Sequence, residues 1–233
     1  MKYVTSDIHG KLDRLKRLIE TIELSEDDKL YIIGDLVDRG DKPMETIEFV
    51  MNYPQIEVIM GNHDEMMLYG LKYKDEKQTE RWSRNGCEPT IKGFNKRTSE
   101  EQEKILSFIE GLPYFKIVDN KYLLVHGGFE PERLIESLKE KSLEDALTEQ
   151  RDRLVWVRDD FIKNKALDSL ITIFGHSPRR YIDKIFEVES KLPYEIWFDK
   201  IYNDKIGIDT GNCYDDGRMS CLRLDDYKVF YIE

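Results

Sequence analysis

The chain has 233 residues, with 47 acidic against 36 basic side chains and a formal net charge of -11. This length allows one sizeable core, whereas the acidity disfavours a broad electrostatic grip on nucleic acid or anionic membrane. Three cysteines, Cys87, Cys213 and Cys221, show no Cys-x-x-Cys spacing, which predicts reduced thiols and a cytoplasmic location rather than a disulfide framework or zinc knuckle.

The residues before Asp7 form too short an apolar stretch for a signal peptide, and no later run approaches a membrane span, so a soluble chain is expected. Tyr3 to Ser6 predicts a first strand, followed by a helix that buries Leu12, Leu15, Leu18, Ile19 and Ile22. Leu30 to Ile33 predicts the second strand. Asp41 as N-cap, with Pro43 in the first turn, opens a helix burying Met44, Ile47, Val50 and Met51. Ile56 to Met60 gives the third strand. The segment from about 64 to 112 is polar and helical in pattern, with a capping box at Ser99 and Gln102 ahead of Ile105, Leu106 and Ile109. It predicts a cap of helices within a single domain spanning 1–233.

Phe115 to Val118 and Lys121 to Val125 flank Asp119-Asn120, the spacing of a tight hairpin. Leu170 to Phe174 is a continuous apolar run suited to a strand buried on both faces. Met219 to Leu224 and Tyr227 to Ile232 flank a further turn at Asp225-Asp226. Strands alternating with helices predict an α/β domain.

Five of these runs end in polar clusters: Asp7-Ile8-His9-Gly10, Gly34-Asp35-Leu36-Val37-Asp38-Arg39-Gly40, Gly61-Asn62-His63-Asp64, His126-Gly127-Gly128 and Gly175-His176. Carboxyl ends of strands in an open α/β sheet share one edge, so these clusters can meet in one crevice. All 4 histidines of the chain lie in them, which favours a site over isolated structural histidines. Neutral imidazoles, carboxylates and an amide oxygen suit two divalent ions, Mn, Fe or Zn in preference to Ca. Such a pair, roughly 3.5–4 Å apart, clamps a phosphoryl group and activates water.

In this order and spacing, with Ile208-Asp209-Thr210-Gly211 following, the motifs resemble those of the calcineurin-like metallophosphoesterases. The similarity is strongest to the bacterial and phage branch of the PPP-type serine/threonine phosphatases. That resemblance implies a four-layer α/β/β/α sandwich of mixed sheets with a strand-end metal site. It further implies that Asp7 and His9 hold the first metal, that Asp35 bridges, and that Asn62, His126 and His176 hold the second. His63, oriented by Asp38, would protonate the leaving oxygen. Arg39 would grip phosphate, as would Arg158 in Leu154-Val155-Trp156-Val157-Arg158, for which a surface ion pair is the alternative. Two divalent ions and two arginines outweigh two aspartates, so the local charge would be positive in an acidic protein.

The expected reaction is metal-dependent hydrolysis of a phosphate monoester by direct attack of metal-activated water, on phosphoserine or phosphothreonine in a protein. Symmetrical hydrolysis of diadenosine tetraphosphate is the alternative, and a catalytically silent metal-binding module is a third reading. Gly175-His176-Ser177-Pro178 lacks the second histidine of Gly-His-x-His, which separates the chain from many nucleases and cyclic-nucleotide phosphodiesterases of the family. Asp38 favours the phosphatase side, because the tetraphosphatases often replace it, whereas Asp64 is shared with them. The expected partners are a phosphoprotein or small phosphorylated substrate, with room for a protein regulator and with no nucleic acid and no membrane. Met66, Met67, Leu71 and Trp82 read as a packed helical face, and Cys87 as a passive substitution.

Overall fold

The computed structural model describes residues 1–188 and 193–233. Its strands are β1 (Lys2–Ser6), β2 (Lys29–Ile33), β3 (Ile56–Ile59), β4 (Phe115–Val118), β5 (Tyr122–Val125), β6 (Ile171–Phe174), β7 (Trp197–Phe198), β8 (Lys205–Gly207), β9 (Met219–Arg223) and β10 (Val229–Ile232). They form two mixed five-stranded sheets, ordered β10-β9-β1-β2-β3 and β4-β5-β6-β8-β7. Within them β1, β2 and β3 run parallel, as do β5, β6 and β8.

Alternation along each strand assigns its side chains to two cores, because successive residues point to opposite faces. Val4, Tyr31, Ile33 and Ile59 of the first sheet join Tyr122, Leu124, Ile173 and Ile206 of the second in one cluster, which therefore lies between the sheets. Tyr3, Leu30, Ile32, Leu123, Val125 and Phe174 face away from it and join the helices in the other. The expected layering of helices outside two mixed sheets follows. Strands buried on both faces read as continuous apolar runs for this reason.

The helices up to residue 110 are α1 (Leu12–Thr21), α2 (Pro43–Met51), α3 (Asn62–Leu68), α4 (Glu76–Ser83), α5 (Glu88–Phe94) and α6 (Ser99–Glu110), with a π-helical turn at Tyr69–Tyr73 after α3. In α1, Leu12, Leu15, Leu18 and Ile19 are buried, as the 3.6-residue period requires. Truncating Leu15, which is wholly enclosed, to alanine would cost about 2–5 kcal/mol.

Four local expectations need correction. The N-cap of α2 is Lys42, without a side-chain capping bond, and Pro43 occupies the first helical turn. Met51, the last residue of the helix, is 37% exposed, whereas Val50 before it is buried. The capping box of α6 lies one residue earlier than expected: Thr98 Oγ1 accepts from Glu101 N at 3.4 Å, and Glu101 Oε2 accepts from Thr98 N at 2.7 Å. Adjacent hydroxyls made the register ambiguous, and Glu101 settles it by returning a bond that Gln102 does not. The hairpin at Asp119-Asn120 forms, with φ of 55° and 50° at these residues, but Val118 pairs with Tyr122, so Lys121 belongs to the connection and β5 begins one residue later than expected. Asx side chains tolerate this left-handed region. Among the described residues, no helix is long and apolar enough to cross a membrane.

Candidate functional site

The loops that follow the parallel strands are knitted together by backbone bonds. Asp7 N donates to Gly34 O at 3.1 Å, His9 N to Asp35 O at 2.8 Å and Gly175 N to His126 O at 2.9 Å. A Cβ at Gly34 would lie 2.5 Å from Gly61 Cα, so only glycine permits the β2 and β3 loops to touch. Asp64 then clasps the first of these loops. Its carboxylate accepts from Asp35 N, Leu36 N and Gly61 N at 2.8, 2.9 and 3.1 Å. Burial and the neighbouring Asp35 charge push Asp64 up to about 7 even so.

Six predicted site residues occupy the left-handed region, which non-glycine residues rarely enter: Asp7, His9, Asp35, Asp38, Arg39 and His176, with φ between 47° and 71°. Each costs roughly 1–2 kcal/mol relative to ordinary backbone, and strain of this kind concentrates where side-chain direction matters more than stability.

Asp35 occupies the centre. Its Oδ2 lies 3.6 Å from His9 Nε2 and its Oδ1 lies 3.3 Å from His126 Nε2. Two groups with mutually close ligand atoms share it: His9, Asp35 and His63, and Asp35, His126 and His176. The backbone fixes which ring nitrogens face inward. His9 Nδ1 donates to Val37 O at 2.9 Å and His126 Nδ1 donates to Ile33 O at 2.8 Å, leaving each Nε2 toward Asp35.

The donor chemistry fits cations. In the neutral tautomer His126 Nε2 is an acceptor, yet it faces Asn62 Oδ1 at 2.9 Å as well as Asp35 Oδ1. Three acceptors converging in a buried site require a proton or a cation among them. Burial disfavours a charge on His126, but the Asp35 carboxylate outweighs it and moves the ring up to about 9. His9 and His176 are held well below the ordinary histidine value, chiefly by burial and then by the neighbouring His63 and His126 rings respectively. Burial, reinforced by Asp209, raises Asp7. Its carboxylate accepts from His176 N at 3.1 Å. Asp7, Asp35, Asn62 and His176 line one cleft, with His9 and His126 beside Asp35, although the first close group takes in His63 where the sequence predicts Asp7.

His63 differs from the other histidines. Its Nδ1 pairs with Asp38 Oδ2 at 2.6 Å, and its Nε2 lies 3.0 Å from Arg39 Nη2. Arg39 Nη1 is likewise 3.0 Å from His9 Nε2. One lone pair cannot serve both an arginine N–H and a metal, so a cation on His9 requires Nη1 to turn away. Arg158 Nη2 donates to His176 O at 3.1 Å, and its buried Nε has no hydrogen-bond partner among the described residues. This places Arg158 at the site rather than in the alternative surface ion pair.

A cleft of about 380 Å³ opens over this floor. Asp7, Asp35, Arg39, Asn62, His63, Arg158 and His176 line it together with Trp156, Arg180, Tyr181, Lys184, Asp209 and Tyr214. Of the last group, Trp156 and Asp209 stand in motifs of the sequence without a predicted role, and Arg180, Tyr181, Lys184 and Tyr214 stand in none. A basic pair, Arg179-Arg180, directly after the Gly175-His176 cluster was the available signal for Arg180. Tyr214 is brought in from near the far end of the chain, and Arg180 stacks on its ring at 3.6 Å. Trp156 is held by Glu65, whose Oε2 accepts from Trp156 Nε1 at 3.2 Å. Cys213 lies 3.2 Å from Arg39 Nη1, and burial pushes its thiol up to about 11. Cys87 is buried and its thiol is also raised by burial, in keeping with a passive substitution.

Residues 3–214 match the family model of the calcineurin-like phosphoesterases. The symmetrical bis(5'-nucleosyl)-tetraphosphatase of Vibrio parahaemolyticus is 26% identical over 274 aligned residues, covering 98% of this chain and 97% of that protein. A protein serine/threonine phosphatase from Saccharomyces cerevisiae superposes with a TM-score of 0.65 at 16% identity, covering 100% of this chain and 79% of its own. A metallophosphoesterase from Sphaerobacter thermophilus does so with a TM-score of 0.58 at 18% identity, covering 100% and 87%. Structural likeness at such identities speaks to the fold alone.

Proposed function

The chain belongs to the calcineurin-like phosphoesterase family, and from that premise we propose that it hydrolyses dinucleoside tetraphosphates symmetrically with the help of two divalent ions. Its relatives bearing the name of that activity align along nearly its whole length. The observation that carries the reading is the composition of the cleft. Beyond Arg39 it offers Arg158, Arg180 and Lys184, with Trp156, Tyr181 and Tyr214 beside them. A single phosphate does not need four cations and three aromatic rings. A polyphosphate chain ending in nucleosides can use both, through charge-assisted bonds and stacking.

In this reading Asp7, His9 and Asp35 would hold one ion, and Asp35, Asn62, His126 and His176 the other. Ions bound there would lower the pKa of coordinated water and draw charge from the phosphoryl oxygens. Arg39 and Arg158 orient those oxygens. A water oxygen bonds to phosphorus as the bridging P–O bond breaks, and two nucleoside diphosphates leave. With Arg39 Nη2 turned from it toward phosphate, His63 Nε2 would supply a proton to the departing oxygen, while Asp38 on Nδ1 keeps the ring in place.

One observation favours a second reading, hydrolysis of phosphoserine or phosphothreonine in proteins. The His63–Asp38 pair is complete and buried, and a proton donor helps most when the leaving oxygen is a strongly basic alkoxide rather than a nucleoside diphosphate. The two are separated by comparing kcat/KM for diadenosine tetraphosphate, a phosphothreonine peptide and p-nitrophenyl phosphate with Mn, with and without chelator. The expected result is preference for the dinucleotide, ADP as sole product, and loss of activity with chelator. Preference for the peptide, or release of ATP and AMP, would overturn the proposal, and inactivity on all three would favour a silent metal-binding module.

A further inference from the structure

Asp38 is wholly enclosed, and three side-chain donors fill its carboxylate. Its Oδ2 takes His63 Nδ1 at 2.6 Å and Trp82 Nε1 at 2.7 Å, while its Oδ1 takes Thr90 Oγ1 at 2.6 Å. Trp82 and Thr90 come from α4 and α5 in the helical cap, not from the strand ends. The cap also fixes the backbone beneath. Asp38 N donates to Thr90 Oγ1, and Arg39 N donates to Gly86 O, both at 3.0 Å. These two residues have φ of 71° and 65°, a consecutive left-handed pair that needs outside support to persist. Trp82 is seated on the π-helical turn, where a Cβ at Gly70 would come within 2.9 Å of Trp82 Cε3.

Packing alone does not require this arrangement. A buried tryptophan N–H needs one acceptor, and any backbone carbonyl would serve. Here it is spent on the same oxygen that holds His63. With Oδ1 pinned by Thr90 and Oδ2 by Trp82, the carboxylate plane cannot rotate, so the direction of the His63 ring is set by the cap. We infer that Trp82 and Thr90 are positioning residues for proton donation by His63, so that the helical cap controls turnover of substrates with poor leaving groups. The inference rests on reading His63 as the proton donor.

The test uses aryl and alkyl phosphates, because a misdirected acid matters little when the leaving group needs no proton. Trp82→Phe and Thr90→Val should each lower kcat on phenyl or methyl phosphate by about tenfold or more. On p-nitrophenyl phosphate they should stay within about twofold of the parent, with unchanged metal content. Thr90→Ser, which keeps the hydroxyl, should restore the parent pattern. In a His63→Asn background neither change should have a further effect, as coupled residues behave in a double-mutant cycle. Equal losses on both substrate classes, or additive losses in the His63→Asn background, would overturn the positioning role. If His63→Asn itself shows no dependence on the leaving group, the donor reading of His63 fails instead. Thr90→Val removes one hydroxyl with little change in volume, so it keeps the test decisive should Trp82→Phe fold poorly.

Discussion

The strand-end floor and the helical cap serve the same cleft by different means. On the floor, Asp7, His9, Asp35 and His176 reach inward from backbone with φ between 47° and 61°, at strand ends tied together by main-chain bonds. The cap holds its site-facing Trp82 and Thr90 on regular helices and acts through Asp38. In the proposed reading, floor residues carry ligand atoms and cap residues carry orientation. Loss of metal should follow damage to the first, whereas damage to the second should leave metal in place and slow the chemistry.

The largest effect that sharpens this contrast is expected from Asp35→Asn. Replacing the shared carboxylate by a neutral amide should release metal, measured by elemental analysis after gel filtration, and lower turnover on the order of 10⁴-fold or more. Retained stoichiometric metal would remove Asp35 from the centre of the account. His63→Asn should cost about 10²–10⁴ in turnover on substrates with poor leaving groups while metal content holds. Metal loss in that variant would place His63 among the ligands instead.

Smaller changes test the supports. Asp64→Ala leaves three buried N–H groups without their acceptor, and a loss of about 3 kcal/mol or more in denaturant unfolding is expected. An unchanged midpoint would show that the clasp on the β2 loop is dispensable. Thr98→Ala, at the far end of the cap, should cost about 1 kcal/mol through loss of the α6 cap. Its kinetics should match the parent, and a kinetic defect would mean that the cap transmits strain farther than its hydrogen bonds suggest.

How much of this was readable from the sequence divides along the same line. The floor was readable because His9, His63, His126 and His176 stand beside Asp and Asn at strand ends, where residue type already declares the chemistry. The sheets were readable from apolar runs such as Leu30 to Ile33, and the β4-β5 hairpin from Asp119-Asn120. The cap was readable as helices but not as machinery. Trp82 and Asp38 are 44 residues apart, and nothing local in α4 distinguishes a tryptophan that donates to a carboxylate from one that fills a core. The capping box was misplaced by one residue because Thr98 and Ser99 both qualify locally, and only the return bond from Glu101 selects between them. Arg180, Lys184 and Tyr214 were missed because their meaning lies in the cleft they share.

The most direct measurement is anomalous diffraction from crystals grown with excess manganese. Two peaks are expected, one on each side of the Asp35 carboxylate, the first beside His9 and the second beside His126 and His176. No peak, or a single peak remote from Asp35, would contradict the bimetallic centre on which the proposed hydrolysis depends.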